Sequence, residues 1–155
     1  MPEFSEEVVV PYPPETVCAF FRSPEAVAAI SDPSVGAVLK SAPEQLDAGS
    51  VVELELMAFG TTHAVTNEVA EAAFPNRFVE VQRSGPLKAY RHEHRFEPTP
   101  DGTRVVDAVE FEPPGGLAGL LMSADAIESQ LADSIDYRNR QLAAAIGRFA
   151  NRGEA

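Results

Sequence analysis

Ala89-Tyr90-Arg91-His92-Glu93-His94-Arg95-Phe96-Glu97 separates into two series when read one residue at a time. Side chains of a β-strand alternate faces, so Tyr90, His92, His94 and Phe96 share one side and Arg91, Glu93, Arg95 and Glu97 the other. The charged series belongs in water. The aromatic and imidazole series therefore points inward, and a strand from Lys88 to Glu97 is predicted.

The same alternation extends to both flanks. Phe78, Glu80 and Gln82 alternate in a strand from Phe78 to Arg83, and Val105, Asp107, Val109 and Phe111 in one from Thr103 to Glu112. Further strands are predicted over 35–42, 50–59 and 61–72. They are separated by Asp47-Ala48-Gly49, Gly60, Phe74-Pro75-Asn76, Gly85-Pro86 and Pro100-Asp101-Gly102, which supply turn geometries. Six strands in succession with hairpin-length links imply an antiparallel meander. A first strand, Phe4 to Tyr12, precedes two short helices that begin at Pro13-Pro14-Glu15 and Ser23-Pro24-Glu25, where proline and an acid suit a first helical turn.

Pro113-Pro114-Gly115-Gly116 stops the last strand, a short apolar stretch runs from Leu117 to Met122, and a helix is predicted over 123–150. Its apolar stripe is Ile127, Leu131, Ile135, Leu142, Ile146 and Phe149. Asp125, Glu128, Asp133, Asp136, Arg138, Arg140 and Arg148 are expected mostly to face water. A single stripe on so long a helix needs a sheet beneath it. The expected fold is α+β: about seven antiparallel strands curved around a long C-terminal helix, as a single domain over residues 1–155.

Composition narrows the partners. With 24 acidic against 12 basic residues the net charge is −12, which repels phosphate backbones and anionic headgroups. Nucleic acid is not expected. No apolar run approaches the ~20 residues of a membrane span, and no basic-then-apolar leader opens the chain, so membrane insertion is not expected and the cytoplasm is the expected location. Cys18 is the only cysteine, so neither an intrachain disulfide nor a thiolate metal cluster can form. A homodimer could be supported by an exposed edge strand.

Chemistry concentrates on the inward residues Glu80, His92, His94 and Asp107, the candidate catalytic set. Three readings stay open: hydrogen-bonded scaffolding, groups that orient a ligand, and general acid–base groups. His92-x-His94 with Asp107 or His63 has the spacing for zinc, but without a Cys pair or a helical HExxH the pattern is weak. Neither a metal nor a cofactor is expected. Gly115-Gly116 lacks the spacing that cradles phosphates, and no serine sits in a GxSxG elbow.

These residues also carry a resemblance. Pro13-Pro14-Glu15-Thr16-Val17 with Ser23-Pro24-Glu25-Ala26-Val27, the run Phe78-x-Glu80-x-Gln82-x-x-Gly85-Pro86…Tyr90-x-His92-x-His94-x-Phe96, and Gly102-Thr103…Asp107-x-Val109-x-Phe111-x-Pro113-x-Gly115 resemble the SRPBCC superfamily. This superfamily is also called START-like or Bet v 1-like, and the chain is most similar to its bacterial polyketide cyclase/dehydrase-type single-domain proteins. Tyr90 stands where tryptophan is common, and Phe111 where tyrosine is. The resemblance implies a helix-grip fold with a cavity between sheet and terminal helix for lipids, polyketides or similar molecules. It does not imply a reaction.

The expected activity is binding of a small hydrophobic ligand. Pocket candidates are Met57, Phe59, His63 and Val65 from the middle strands, with Phe78, Glu80 and Gln82 beside them. Tyr90, His92, His94, Asp107, Val109 and Phe111 follow from the later strands, and Leu121, Ile127 and Leu131 from the helix side. The alternative is a polyketide cyclase or dehydratase in which His92 or His94 exchanges protons with the substrate, oriented by Asp107 or Glu80.

Overall fold

The computed structural model describes residues 1–58 and 60–152. Seven strands form one antiparallel sheet: β1 (Glu3–Val10), β2 (Val38–Ser41), β3 (Val51–Ala58), β4 (Thr61–Ala73), β5 (Arg77–Ser84), β6 (Ala89–Thr99) and β7 (Gly102–Glu112). Their order across the sheet is β1-β7-β6-β5-β4-β3-β2. The first strand thus closes against the last, with Phe4 opposite Val109 and Val8 opposite Val105. Helices α1 (Pro14–Phe21) and α2 (Pro24–Ala28) follow β1; α3 (Gly116–Leu121) and α4 (Ala124–Asn151) follow β7. This is the helix-grip arrangement, with α4 lying along the concave side of the sheet.

Local chemistry accounts for the boundaries. The Ser123 side chain accepts from the Ala126 N–H and opens α4, with Asp125 in its first turn and Arg148 in its last. Ser23 does the same for α2 through Ala26. Thr99 and Gly102 pair across a two-residue β6–β7 turn. Gly102 sits at φ +141°, where a Cβ would lie 2.1 Å from the Val10 carbonyl oxygen, so the turn admits only glycine.

Three boundaries depart from the expectations. β1 ends at Val10, before Pro11, which has no N–H for a ladder. β2 is four residues long and excludes Val35, because Asp32 Oδ1 accepts from both the N–H and hydroxyl of Ser34 and turns the chain there. The apolar stretch before α4 is itself a short helix, α3, none of whose residues is buried.

Two apolar clusters hold α4 on the sheet. One gathers Val10, Val17, Phe20, Phe21, Phe78, Phe96, Val105, Leu142 and Ile146 around α1 and the C-terminal half of α4. The Phe20 ring meets Phe149 edge-on at 5.6 Å, tying the two helices. The second cluster joins Val109 and Phe111 of β7 to Met122, Ile127 and Ile135. Each fully buried side chain of this size contributes about 1.5–3 kcal/mol. On the opposite face the charged residues of β6 are ion-paired: Glu93 with Arg77 and Arg95, Arg91 with Glu71, Glu97 with Arg95 and Arg104.

Candidate functional site

Between the two clusters lies a polar network built on β5, β6, β7 and α4. Register places Glu80 opposite His92, and His94 opposite both Phe78 and Asp107. Asp107 is fully buried, and Arg138 of α4 reaches down to it. The guanidinium Nη1 donates to Asp107 Oδ1 at 3.0 Å, and Nη2 donates to Oδ2. Asn139 Oδ1 accepts from Nε and Nη2 of the same guanidinium at 3.2 and 2.7 Å. His92 Nε2 lies 2.8 Å from Asp107 Oδ1, and His92 Nδ1 lies 3.0 Å from the Tyr90 hydroxyl. His94 Nε2 lies 3.0 Å from Glu80 Oε1. His94 Nδ1 is 3.3 Å from Asp107 Oδ1, within ion-pair reach but without a hydrogen bond.

Ring stacking reinforces the network. Phe78, His94 and His92 stack in series, with centroids 4.5 and 4.0 Å apart and interplanar angles of 17° and 16°. The Arg138 guanidinium carbon lies 4.9 Å from the Phe21 ring centroid.

Protonation follows from these contacts. Burial alone would raise the Asp107 carboxyl, but the Arg138 charge, the bond from His92 and the nearby His94 imidazole outweigh it and hold it well below the usual range. Glu80 is likewise lowered, its burial outweighed by the bond from His94 and the imidazole charges. Burial and the neighbouring His94 charge lower His92; His94 is raised because Asp107 and Glu80 together outweigh its own burial. Burial, helped by the Glu80 and Asp107 charges, pushes the Tyr90 phenol up. These directions favour the charged forms of Asp107, Glu80 and His94 and the neutral forms of His92 and Tyr90. Asp107 can only accept, so His92 carries its proton on Nε2 and its bare Nδ1 accepts from the Tyr90 hydroxyl.

A cavity of about 280 Å³ adjoins this network under the N-terminal half of α4. Its walls are mostly apolar: Val27, Val35, Leu56, Met57, Val65, Leu87, Met122, Ile127, Leu131 and Ile135. Polar residues also line it: Asn67, Gln82, Tyr90 and Arg138 and, from α4 and the α2–β2 loop, Gln130, Ser134, Ser31 and Asp32. Gln82 is locked by its own bond to the Leu87 carbonyl at 2.6 Å.

Six of the pocket candidates line this cavity: Met57, Val65, Gln82, Tyr90, Ile127 and Leu131. The structure corrects several others. Leu121 is 82% exposed on α3, because that helix packs none of its side chains inward. His63 is tied to Thr61 and the Ala58 carbonyl near the β3–β4 turn, away from the cavity lining. Phe78, Val109 and Phe111 are packed into the two cores, at 1%, 1% and 0% exposure. Glu80, His92, His94 and Asp107 come together, but behind Tyr90 and Arg138 rather than in the cavity wall. Phe59 lies outside the described residues.

Arg138 is the residue that sequence reading misplaced: expected in water, it is 7% exposed. Its signal was positional. Residue 138 falls three after Ile135 and four before Leu142, so it occupies the stripe where an apolar residue was missing. The wall contributed by Val27, Ser31, Asp32, Val35 and Leu87 comes from loops and a short helix, which periodicity does not reach.

His92, His94 and Asp107 each place one ligand atom within 4.8 Å of the other two, a spacing that could hold a metal ion. One nitrogen of each imidazole already faces Asp107 Oδ1, and Arg138 occupies both oxygens of that carboxylate. A metal would have to displace an arginine already matched to its carboxylate. The donor set fits the ion-pair network better.

The sequence profile of the polyketide cyclase / dehydrase and lipid transport family matches residues 1–147. The chain belongs to that family. Among solved structures, a protein of Thermus thermophilus superposes with a TM-score of 0.74 at 19% identity, covering 94% of this chain and 97% of its own. An AHSA1-like protein of Aeromonas hydrophila gives 0.66 at 16% identity, covering 92% and 93%. A major latex-like protein of Panax ginseng gives 0.64 at 13% identity, covering 91% and 97%. No curated protein matches by sequence. These likenesses establish the SRPBCC, or Bet v 1-like, fold. Among the described residues no helix is long and apolar enough to cross a membrane.

Proposed function

We propose that this family member binds a small, mostly apolar molecule beneath α4 and does no chemistry on it. The observation that carries the reading is a cavity of about 280 Å³ with a predominantly aliphatic wall, near the lower end of the ~300–1,000 Å³ usual for small-molecule sites. The ionisable groups support the same reading. They neutralise one another at the base of the cavity, which is how buried charges are held in a scaffold.

The test is fluorescence titration with N-phenyl-1-naphthylamine, a neutral apolar reporter, on wild type and Leu131→Trp. Wild type should bind with saturable enhancement. The indole should fill the cavity and weaken binding at least tenfold with the circular dichroism spectrum unchanged. Equal binding by both proteins would place the reporter elsewhere and remove the reading.

A second reading, proton-transfer catalysis of the cyclase or dehydratase type, is favoured by the chain Tyr90–His92–Asp107–Arg138 ending at the cavity wall. His92 and His94 themselves do not line the cavity, so any proton would pass through the Tyr90 hydroxyl. Tyr90→Phe should then lower turnover of a polyketide-like substrate by ~10²-fold or more. Unchanged turnover would eliminate this route.

A further inference from the structure

The polar groups at the cavity wall specify more than an apolar guest. We propose that the site selects an uncharged ligand carrying a hydroxyl or N–H donor, which is received by the Tyr90 phenol oxygen, and discriminates against anions and acceptor-only ligands. This rests on the binding reading above and names the chemistry of its ligand.

Asp107 fixes the direction of the hydrogen bonds that lead outward from it. A carboxylate held by Arg138 has only lone pairs to offer, so the His92 nitrogen 2.8 Å away must bring the proton. A neutral imidazole carries one N–H, and His92, stacked 4.0 Å from His94 beside an Asp107 already paired with Arg138, is pushed toward that form by burial and by His94. Its other nitrogen therefore accepts, and the Tyr90 hydroxyl 3.0 Å away is the donor. The proton of Tyr90 is thus committed inward, and what its oxygen presents to the cavity is a lone pair. A ligand carbonyl that took this proton would leave a buried imidazole nitrogen unsatisfied, a loss that discriminates strongly.

The charged lining residues agree, while Ser31 is tied to the Ala28 carbonyl and Gln130 and Ser134 also line a neighbouring groove with Asp32. Arg138 is the only cation among the lining residues, and it offers no site for a carboxylate. Four of its five N–H groups are used, two on Asp107 and two on Asn139, and its charge is already balanced. Asp32, the only acid in the lining, repels anions further. Gln82 is tied to the Leu87 carbonyl, and its Oε1 lies against Gly85, where a Cβ would come within 2.4 Å.

Three bicyclic probes of matched shape separate the possibilities by isothermal titration calorimetry at pH 7: 2-naphthol, a neutral donor; 2-methoxynaphthalene, which can only accept; and 2-naphthoate, an anion. Wild type should bind 2-naphthol about tenfold more tightly than the ether (about 1.4 kcal/mol) and more tightly still than the anion. In Tyr90→Phe the naphthol affinity should fall to that of the ether, while the ether is unchanged. The comparison within wild type stands even if that variant folds poorly. Ether binding equal to naphthol, or naphthoate binding tightest, overturns the proposal. So does a Tyr90→Phe protein that keeps the full naphthol preference. If N-phenyl-1-naphthylamine binds and discrimination is absent, only this inference falls; if the reporter fails as well, the binding reading falls with it.

Discussion

Substituting Asp107→Asn removes one charge and almost no volume, which makes it the most direct probe of how α4 is held down. Arg138 is 7% exposed, and its two Nη groups both rest on this carboxylate. The amide would leave a buried guanidinium without its counter-charge and would turn one of the two acceptor oxygens into an NH2 donor facing another donor. Breaking one side of a buried, hydrogen-bonded pair costs about 3–5 kcal/mol. Domains are stable by only about 5–15 kcal/mol, so much of the margin would go. At roughly 2–4 °C per kcal/mol for a chain of this size, Tm should fall by roughly 6–20 °C. Urea denaturation followed by circular dichroism measures the loss directly. The companion Arg138→Met should be costly too, since it strands Asp107, but the double variant should be no worse than Asp107→Asn alone. A loss within about 1 kcal/mol for Asp107→Asn, or two single losses that simply add, would refute the claim that the pair is a coupled buried unit.

Two further outcomes follow from particular residues. His94 has a raised folded pKa, so its contribution to stability is complete below the ordinary imidazole pKa of ~6.5 and is lost as pH rises through its higher folded value. His92, Glu80 and Asp107 are lowered; their contributions are present above their unfolded values and are lost as pH falls through the folded ones. Urea midpoints compared between wild type and His94→Gln from pH 5.5 to 8.5 should therefore converge toward the alkaline end, and a constant gap would contradict the assignment. Gly102→Ala should destabilise by at least about 2 kcal/mol, because φ +141° and the Val10 carbonyl leave no space for a Cβ; a thermal melt within 2 °C of wild type would contradict it.

How much was legible in the sequence differs between sheet and site for a physical reason. A strand's two-residue period is a local property, so the alternation from Tyr90 to Phe96 could be read without coordinates. The buried His92, His94 and Phe96 lie on one face, and the ion-paired Glu93 and Arg95 on the other. Turn residues and helix caps are equally local, which is why the element order emerged apart from α3. That short apolar run is no different in composition from a buried one, and exposure of Leu117, Leu120 and Leu121 at 82%, 81% and 82% is settled by what packs over it.

The linear chain determined the curved meander, the long helix with its stripe, and the inward direction of Glu80, His92, His94 and Asp107, because each follows from spacing between near neighbours. Only tertiary structure decided that Arg138 turns toward Asp107, 31 residues away, and that Tyr90 rather than the histidines meets the cavity. A charged side chain inside an apolar stripe becomes favourable only once a distant carboxylate supplies its counter-charge, and no local pattern contains that distance.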